Sequence, residues 1–581
     1  MKQLTKSQIW LIGISVGAFI AILSVQTTRW YAFLQLGAEL LPHALQGSNV
    51  SFEKDAAQLI SQSPRDYRLQ LADVSSKIVQ VETSTPNDND DKNISKNLKV
   101  MDSLIARFPT NPSAYAFVMR FEASAIPSAE WKAKENIEYG GAPMKNPADS
   151  AMPAGESEVL LQDFIRQGKM GEVVDPNNAF FPLLLAQGYF ANHDDAAAEA
   201  ALVSGDHDSE WNEYLADEID GRIQVAKKAN GGIIGLSRVA IMASQLFPQY
   251  AKMRSTARMA TWEAMESEQS GNFSQGIAIR HALMHYGSLM RAKGSTMICN
   301  LVGIAIAQIA VSRPGGAPRL TQDKSLPEDQ RSADLSRRRL ALYSAFLIQQ
   351  NDAPEESWVN QEISAGAAAR SAMSMAEHQV WDLKVIAVDG TLIIVSSLLS
   401  TWLLLAGIFW GIAVIIRHLT ALPKDRPLSR RVIVQAAVGF ILILLLGVFV
   451  LNASQAAHTL QQLAGYFGAN TDENGLQDTV LALIALTPFF IFAIVVWVRA
   501  SFRKRPVIES VLSSSIAGAI PTVSILLLLY CGSLAFLARQ DGIISHQIAT
   551  EQQIGEGPYM AQLNGDAWPG LISEAKPPAH T

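Results

Sequence analysis

His281 and His285 are a pair whose types and spacing could do chemistry. Four residues apart on a helix, they share one face, and two imidazoles so placed can begin a zinc site. The zinc-protease pattern wants Glu directly after the first histidine, and this chain has Ala282 there. The pair therefore reads as a packing face or a surface. A second set, His193, Asp194 and Asp195 with Asp206, His207 and Asp208, offers metal-compatible ligand types. Its halves flank an alanine-rich run and fall where turns are expected, so the aspartates read as helix caps. No nucleophile elbow is identified, and there is no G-x-x-x-x-G-K-[ST] phosphate loop and no G-x-G-x-x-G after a strand. Ser312 to Arg319, SRPGGAPR, has no helix start behind it and reads as a loop. No residue is assigned to catalysis, to a cofactor or to a metal, and the reading leans against an enzyme.

The bulk properties place these residues in a membrane protein with a large soluble part. The chain has 581 residues and 17% charged side chains, below the roughly 25% of soluble domains. Mean hydropathy is +0.13. A net charge of -7 gives no basic balance for nucleic acid. Two cysteines, Cys299 and Cys531, cannot build a disulfide framework.

Five apolar stretches free of ionisable side chains are expected to span a bilayer: 9–25, 391–416, 432–451, 479–498 and 511–537. The first follows Lys2 and Lys6 and lacks a clear A-x-A cleavage site, so it reads as an uncleaved signal anchor behind a short cytoplasmic N-terminus, 1–8. The aromatic residues Trp30, Tyr31 and Phe33 suit either the membrane interface or the start of the next core. The loop 417–431 carries Arg417, Lys424, Arg426, Arg430 and Arg431, and 499–510 carries Arg499, Arg503, Lys504 and Arg505. The loop 452–478 has no Lys or Arg. Under the positive-inside rule the basic loops face the cytoplasm. Residues 26–390, the loop 452–478 and a polar tail, 538–581, then lie outside, and the tail is expected to be loosely ordered. Such a chain suits a bacterial cytoplasmic membrane. The pairs Gly13/Gly17 and Gly407/Gly411 form G-x-x-x-G, which lets membrane helices approach closely. Pro488 and Pro521 are expected to kink their spans.

Residues 26–390 read as helix nearly throughout. Leu98, Met101, Leu104, Ile105 and Phe108 recur at helical spacing, as do Leu340, Leu342, Ala345, Phe346 and Ile348. Thr83 to Ser95 is polar and aperiodic and reads as a loop. A long helix is expected from about Glu355 towards the membrane, with Gly390 between it and the span at Thr391.

Asp175 to Leu202, DPNNAFFPLLLAQGYFANHDDAAAEAAL, resembles a tetratricopeptide repeat. Leu185, Ala186 and Tyr189 stand where that family's first helix has Leu, a small residue and an aromatic, and Ala198 stands at the small position of the second. Pro182 replaces the family's Trp, and His193 replaces the turn glycine. Weaker echoes occur at Phe108 to Phe121 and Gly271 to Arg291. The resemblance implies a solenoid-like α-helical domain with a protein- or peptide-binding role, in which Leu185, Ala186, Tyr189 and Ala198 serve partner binding or repeat packing. The expected fold is mainly α, a multi-pass helical membrane protein with a large extracytoplasmic domain. The expected function is a membrane-anchored interaction or scaffold protein. The alternatives are a permease-like subunit of an ATP-binding-cassette export complex, on topology alone, and a membrane hydrolase. The lack of intramembrane charge argues against a pump or secondary transporter.

Overall fold

The computed structural model describes residues 6–25, 57–77, 88–123, 156–230, 247–380, 383–419 and 507–565, with isolated positions at 28, 32, 126, 143–146, 238, 241–242, 494, 497–498 and 501–502. Among the described residues the chain is mainly helical, with 17 helical segments and no strand beyond a single bridge between Asn178 and Glu210. In chain order the α-helices begin with α1 (Lys6–Ser24), α2 (Tyr67–Lys77), α3 (Asp88–Arg107), α4 (Pro112–Glu122), α5 (Glu156–Val174), α6 (Phe180–Ala191), α7 (Asp195–Ser204) and α8 (Leu215–Asn230). They continue with α9 (Pro248–Gln269), α10 (Phe273–Lys293), α11 (Met297–Ala310), α12 (Glu328–Gln349), α13 (Ala353–Val380), α14 (Leu383–Leu419), α15 (Val507–Ile554) and α16 (Glu556–Leu563). A 3-10 turn, Gly205–His207, follows α7. The chain divides into two units. One comprises Phe52–Lys228, Ser237–Val380 and His546–Thr581, the other Met1–Ser51, Ala229–Leu236 and Trp381–Ser545.

The larger unit is built from helical hairpins, and three of them share one joint. The links α6–α7, α9–α10 and α12–α13 each consist of a C-cap, a residue at positive φ, and an Asx N-cap: Asn192-His193-Asp194, Ser270-Gly271-Asn272 and Gln350-Asn351-Asp352. The φ values are 58°, 87° and 62°. In each, the N–H of the N-cap residue reaches back five residues, to the carbonyls of Tyr189, Ser267 and Leu347. That bond defines a Schellman end. The Asp194 carboxylate then accepts from Ala197 N, and Asp352 from Glu355 N. One helix is stopped and the next is started within three residues, which turns the chain back on itself.

The hairpins enclose a continuous core that includes Phe164, Phe180, Phe181, Phe190, Trp211, Leu283, Tyr286 and Ile306. Helices α10 and α11 cross at two glycines. A Cβ at Gly287 would lie 2.7 Å from Gly303 O, and one at Gly303 2.6 Å from Gly287 O. No side chain fits there, so the backbones touch directly.

Several expectations need correction. Asp88 to Ser95 is not a loop but the start of α3, whose first residues include Asp88, Asp90 and Asp91; acidic groups there favour the helix N-terminus. On α12 the buried face is Leu335, Arg339, Tyr343 and Leu347, while Ile348 is exposed. Of the helix expected from Glu355 towards the membrane, Ala353–Val380 (α13) and Leu383–Leu419 (α14) are helical, residues 381–382 lie outside the described residues, and α14 runs through Gly390 without a break. The tail after 537 is not loose up to Asn564: α15 continues to Ile554, and α16 packs its Ala561 against Ile304, Ala369, Ala372 and Met373. The SRPGGAPR stretch is non-helical, as its composition implies.

In the smaller unit α1, α14 and α15 share an apolar cluster of Leu399, Trp402, Leu526, Tyr530, Leu534 and Leu537, with Phe19, Ile22 and Leu23 of α1 against it. Two helices are long and apolar enough to cross a membrane, Leu399–Ile416 and Ile520–Ile554; Ile9–Ser24 is apolar but shorter. Pro521 lies inside α15, which continues past it. The expected span 432–451, the span 479–498 apart from Ile494, Trp497 and Val498, the loop 452–478, the loop 417–431 beyond Leu419, and Trp30, Tyr31, Phe33 and Pro488 fall outside the described residues.

Candidate functional site

The chemistry-bearing side chains of the larger unit converge on α10. This helix carries Arg280, His281, His285 and Arg291 into the core, and all four are buried. Taking such groups from water is costly unless each finds a partner, and each does.

Arg280 satisfies all five of its N–H donors. Nε and Nη2 donate to the two carboxylate oxygens of Glu268 at 2.6 and 3.1 Å. Nη1 donates to the carbonyls of Ala310 and Ser312, and Nη2 to that of Arg313, at 2.6 to 3.0 Å. The guanidinium carbon stands 4.9 Å from the Tyr343 ring centroid. Glu268 accepts a third bond, from Gly315 N at 2.6 Å. The SRPGG turn is thus pinned to the α9–α10 hairpin. Further along α10, Arg291 pairs with Glu362 of α13 at 2.7 Å.

His281 lies between two carboxylates. Its Nδ1 donates to Glu355 Oε2 at 2.7 Å, and its Nε2 lies 3.2 Å from Asp206 Oδ1. Trp358 covers the ring, centroid to centroid at 4.6 Å. Burial alone would lower its pKa, but the hydrogen bonds to Asp206 and Glu355 outweigh that and push it up to about 9. The ring is therefore an imidazolium at neutral pH. His285 goes the other way: burial lowers it, and its Nε2 donates to Asp208 O at 2.7 Å as a neutral ring. Asp208 itself is raised to about 7 by burial and by Glu172 and Asp175. Asp206 is lowered on balance, because His281 more than offsets the effect of burial.

This arrangement limits the chemistry open to it. A general base needs a ring nitrogen facing substrate, and His281 has carboxylates at both nitrogens and 2% exposure. The triad instead ties α10, α13 and the 3-10 turn together. Among the described residues no three His, Cys, Asp or Glu side chains are grouped to hold a metal ion. The letters G-x-S-x-G do occur, at Gly13 to Gly17. They sit within α1, where the Ser15 hydroxyl donates to Leu11 O at 2.7 Å and lies 3.3 Å from Ser524 O. A helical serine bonded to the preceding turn is not a strand-to-helix elbow.

The repeat residues are placed for packing. Leu185, Ala186 and Ala198 are buried, so none can meet a partner. Leu185 packs beside Gly168 of α5, and Tyr189 is half-buried beneath Lys169 Nζ, 5.5 Å from its ring centroid. Gly13, Gly17, Gly407 and Gly411 lie open: a Cβ on any of them meets nothing within 4 Å.

No family model, curated protein or solved structure matches this chain. The tetratricopeptide likeness therefore rests on its residues alone.

The partners on α10 were beyond the reach of sequence reasoning. Glu355 is 74 positions from His281, and no local pattern pairs them. Arg280 and Arg291, by contrast, could have been flagged as charges interrupting an apolar helix that includes Ile277, Ile279, Leu283 and Met290.

Proposed function

We propose that this chain is a multi-pass membrane protein that presents a helical-hairpin domain of the tetratricopeptide kind to a protein or peptide partner outside the cytoplasmic membrane. One observation carries the membrane part. Helices α6 and α14 are both strongly apolar, but α6 is buried along nearly its whole length, whereas the Leu399–Ile416 window is only 22% buried. Ile408, Trp410, Ile412 and Ile415 of α14 stay exposed. A helix of that composition with so little of it covered by the described residues is suited to solvation by lipid tails. In α15 the uncharged stretch ends at Leu537, before Arg539 and Asp541, so the span stops there and the rest of the helix lies beyond the hydrocarbon core. The cationic loops 417–431 and 499–510 then set the orientation, with the larger unit outside.

Three joints of one design favour a helical-hairpin interaction domain, since hairpins stack through neighbours and leave long outer faces for partners. The buried histidines and arginines of α10 serve packing, so none of these four is offered to a hydrolase reading. On α5, Val159, Met170 and Val173 are exposed on the side of the helix that also carries Arg166, and that mixed face is the contact surface we assign.

The test has two arms. After an alkaline wash of membranes the full-length protein should remain in the pellet; its release would overturn the membrane reading. Purification in mild detergent should recover an extracytoplasmic partner, and Val173→Glu should abolish that recovery while leaving the unfolding temperature unchanged. Recovery of an ATPase subunit that Val173→Glu does not affect would move the assignment to a transport-complex permease.

A further inference from the structure

We propose that Glu551 and Glu556 form a proton-dependent clasp that holds the C-terminal segment 555–563 on the turn between α10 and α11 and on α13. The segment begins where α15 ends. Gly555, at φ 86°, redirects the chain, and its N–H closes on Glu551 O at 2.8 Å. Glu556 then makes two bonds to the α10–α11 turn. Its backbone N–H donates to Ser295 O at 3.0 Å, and its Oε2 accepts from Met297 N at 2.6 Å. Met297 opens α11 and has no intrahelical acceptor for its N–H. Thr296, the cap of α11, is occupied with Cys299 N. Glu556 thus supplies from a distant segment the acceptor that the start of α11 lacks. Behind it Tyr559, Met560 and Ala561 are buried, the last against Ala369, Ala372 and Met373 of α13 and Ile304 of α11.

The Glu551 side chain is buried, its Oε1 has no hydrogen-bond partner among the described residues, and the Glu556 carboxyl group lies beside it. Two ionised carboxylates are both acceptors and cannot bond to each other. One proton must lie between them, as in other carboxyl pairs that share a site. Glu556 already accepts from Met297, so Glu551 is the donor. Among the described residues the surroundings supply no countercharge. From α16 the facing titratable group is Tyr559. From α11 the contacts are the Met297 N–H and the Ser295 carbonyl. From α13 they are the apolar Ala369, Ala372 and Met373. Among the described residues, no cation acts on either carboxyl group.

The direction of the pH dependence follows. Once the segment lifts, both carboxyl groups are in water and titrate near their ordinary value of about 4.3. The docked form keeps a proton that the lifted form loses, so docking weakens as pH rises above that range. Removing the proton puts two negative charges side by side in a half-apolar niche. Only the docking of the segment depends on it; the rest of the domain has its own core.

Hydrogen exchange on the full-length protein in detergent, with labelling times scaled for the intrinsic pH effect, reads this directly. Between about pH 6 and pH 9, peptides covering 556–563 should lose roughly tenfold or more in protection, while peptides from α6 keep theirs. In Glu551→Gln the amide can still donate to Glu556 but cannot ionise, so protection of 556–563 should stay level across the same range. Glu556→Gln, whose side-chain oxygen can still accept from Met297, should be level as well. Wild-type protection of 556–563 that tracks α6 across the range overturns the clasp without reference to either variant. So does a wild-type slope that persists in Glu551→Gln.

Discussion

At the scale of the residue, the larger unit depends on charges placed where charges are expensive. Arg280 and Glu268 are fully enclosed, yet every donor on Arg280 is met. Removing one partner leaves the other as an uncompensated buried charge, which costs about 3–5 kcal/mol. Arg280→Met should therefore lower stability by that amount in denaturant unfolding. Glu268→Gln should cost a similar amount, because it removes the countercharge and sets an NH2 group against an N–H donor whose bond Glu268 now accepts. His281 makes the same dependence visible through pH. Its folded pKa of about 9 lies above the ordinary 6.5, so its contribution is complete below about pH 6.5 and is lost as pH rises through 9. Asp208 and Glu263, both raised to about 7 by burial first, also lose stability with rising pH, but their loss is largely over by then. Unfolding free energy measured between about pH 7.5 and 9.5 should fall for the wild type and fall less for His281→Gln, which keeps the loss from Glu551, raised to about 8 by burial first. A matching fall in the variant would mean that other groups carry it.

At the scale of the element, the fold rests on its turns. Helices α6, α9 and α12 all end in the same Schellman joint, and the residue at positive φ is His193, Gly271 or Asn351. Forcing a residue with a Cβ into that region costs roughly 1–2 kcal/mol, so Gly271→Ala should destabilise by about that much. Asp194→Ala, which removes the bond to Ala197 N, should cost about 1 kcal/mol. The α10–α11 crossing is less forgiving: Gly303→Val would press on Gly287 O and Arg291 N, and a cost of some 1–3 kcal/mol or more is expected in thermal unfolding. Much of this level was legible in the sequence. Asp194 and Asp195 read as turn and cap, Pro112 and Asn111 do open α4, and the apolar face of α3 carries Leu98, Met101 and Leu104 as its spacing implies. What misled was context. Tyr343 and Arg339 belong to the buried face of α12 because Arg280 lies over the Tyr343 ring, and no period within α12 announces that. Asp88 to Ser95 looks like a linker because its residues are polar, yet polar residues with acids at the front are also how an exposed helix begins. The candidate site was the least legible part, because Leu185 and Ala186 follow the repeat pattern for packing and the pattern says nothing about the outer face.

At the scale of the whole molecule, the proposed topology predicts a direction across the bilayer, and the chain's own cysteines make the measurement clean. Cys299 and Cys531 are both buried, and burial pushes the Cys299 thiol well up, so neither should react with a bulky maleimide in the folded protein. Single cysteines can then be placed on either side of the third expected span. Ser454→Cys lies in the loop 452–478, which has no Lys or Arg; Ser429→Cys lies in 417–431 among five cations. Cationic loops are held on the cytoplasmic side. A membrane-impermeant maleimide added to intact cells should label Ser454→Cys at once and Ser429→Cys only after permeabilisation. The opposite pattern would turn the larger unit inward and remove the extracytoplasmic partner from the functional reading. Labelling of both positions in intact cells would mean that 432–451 does not cross. The exposed apolar side of α14, Ile408 to Ile416, would be unchanged by that outcome, which would remove spans from the proposed topology without bearing on the membrane reading of α14 itself.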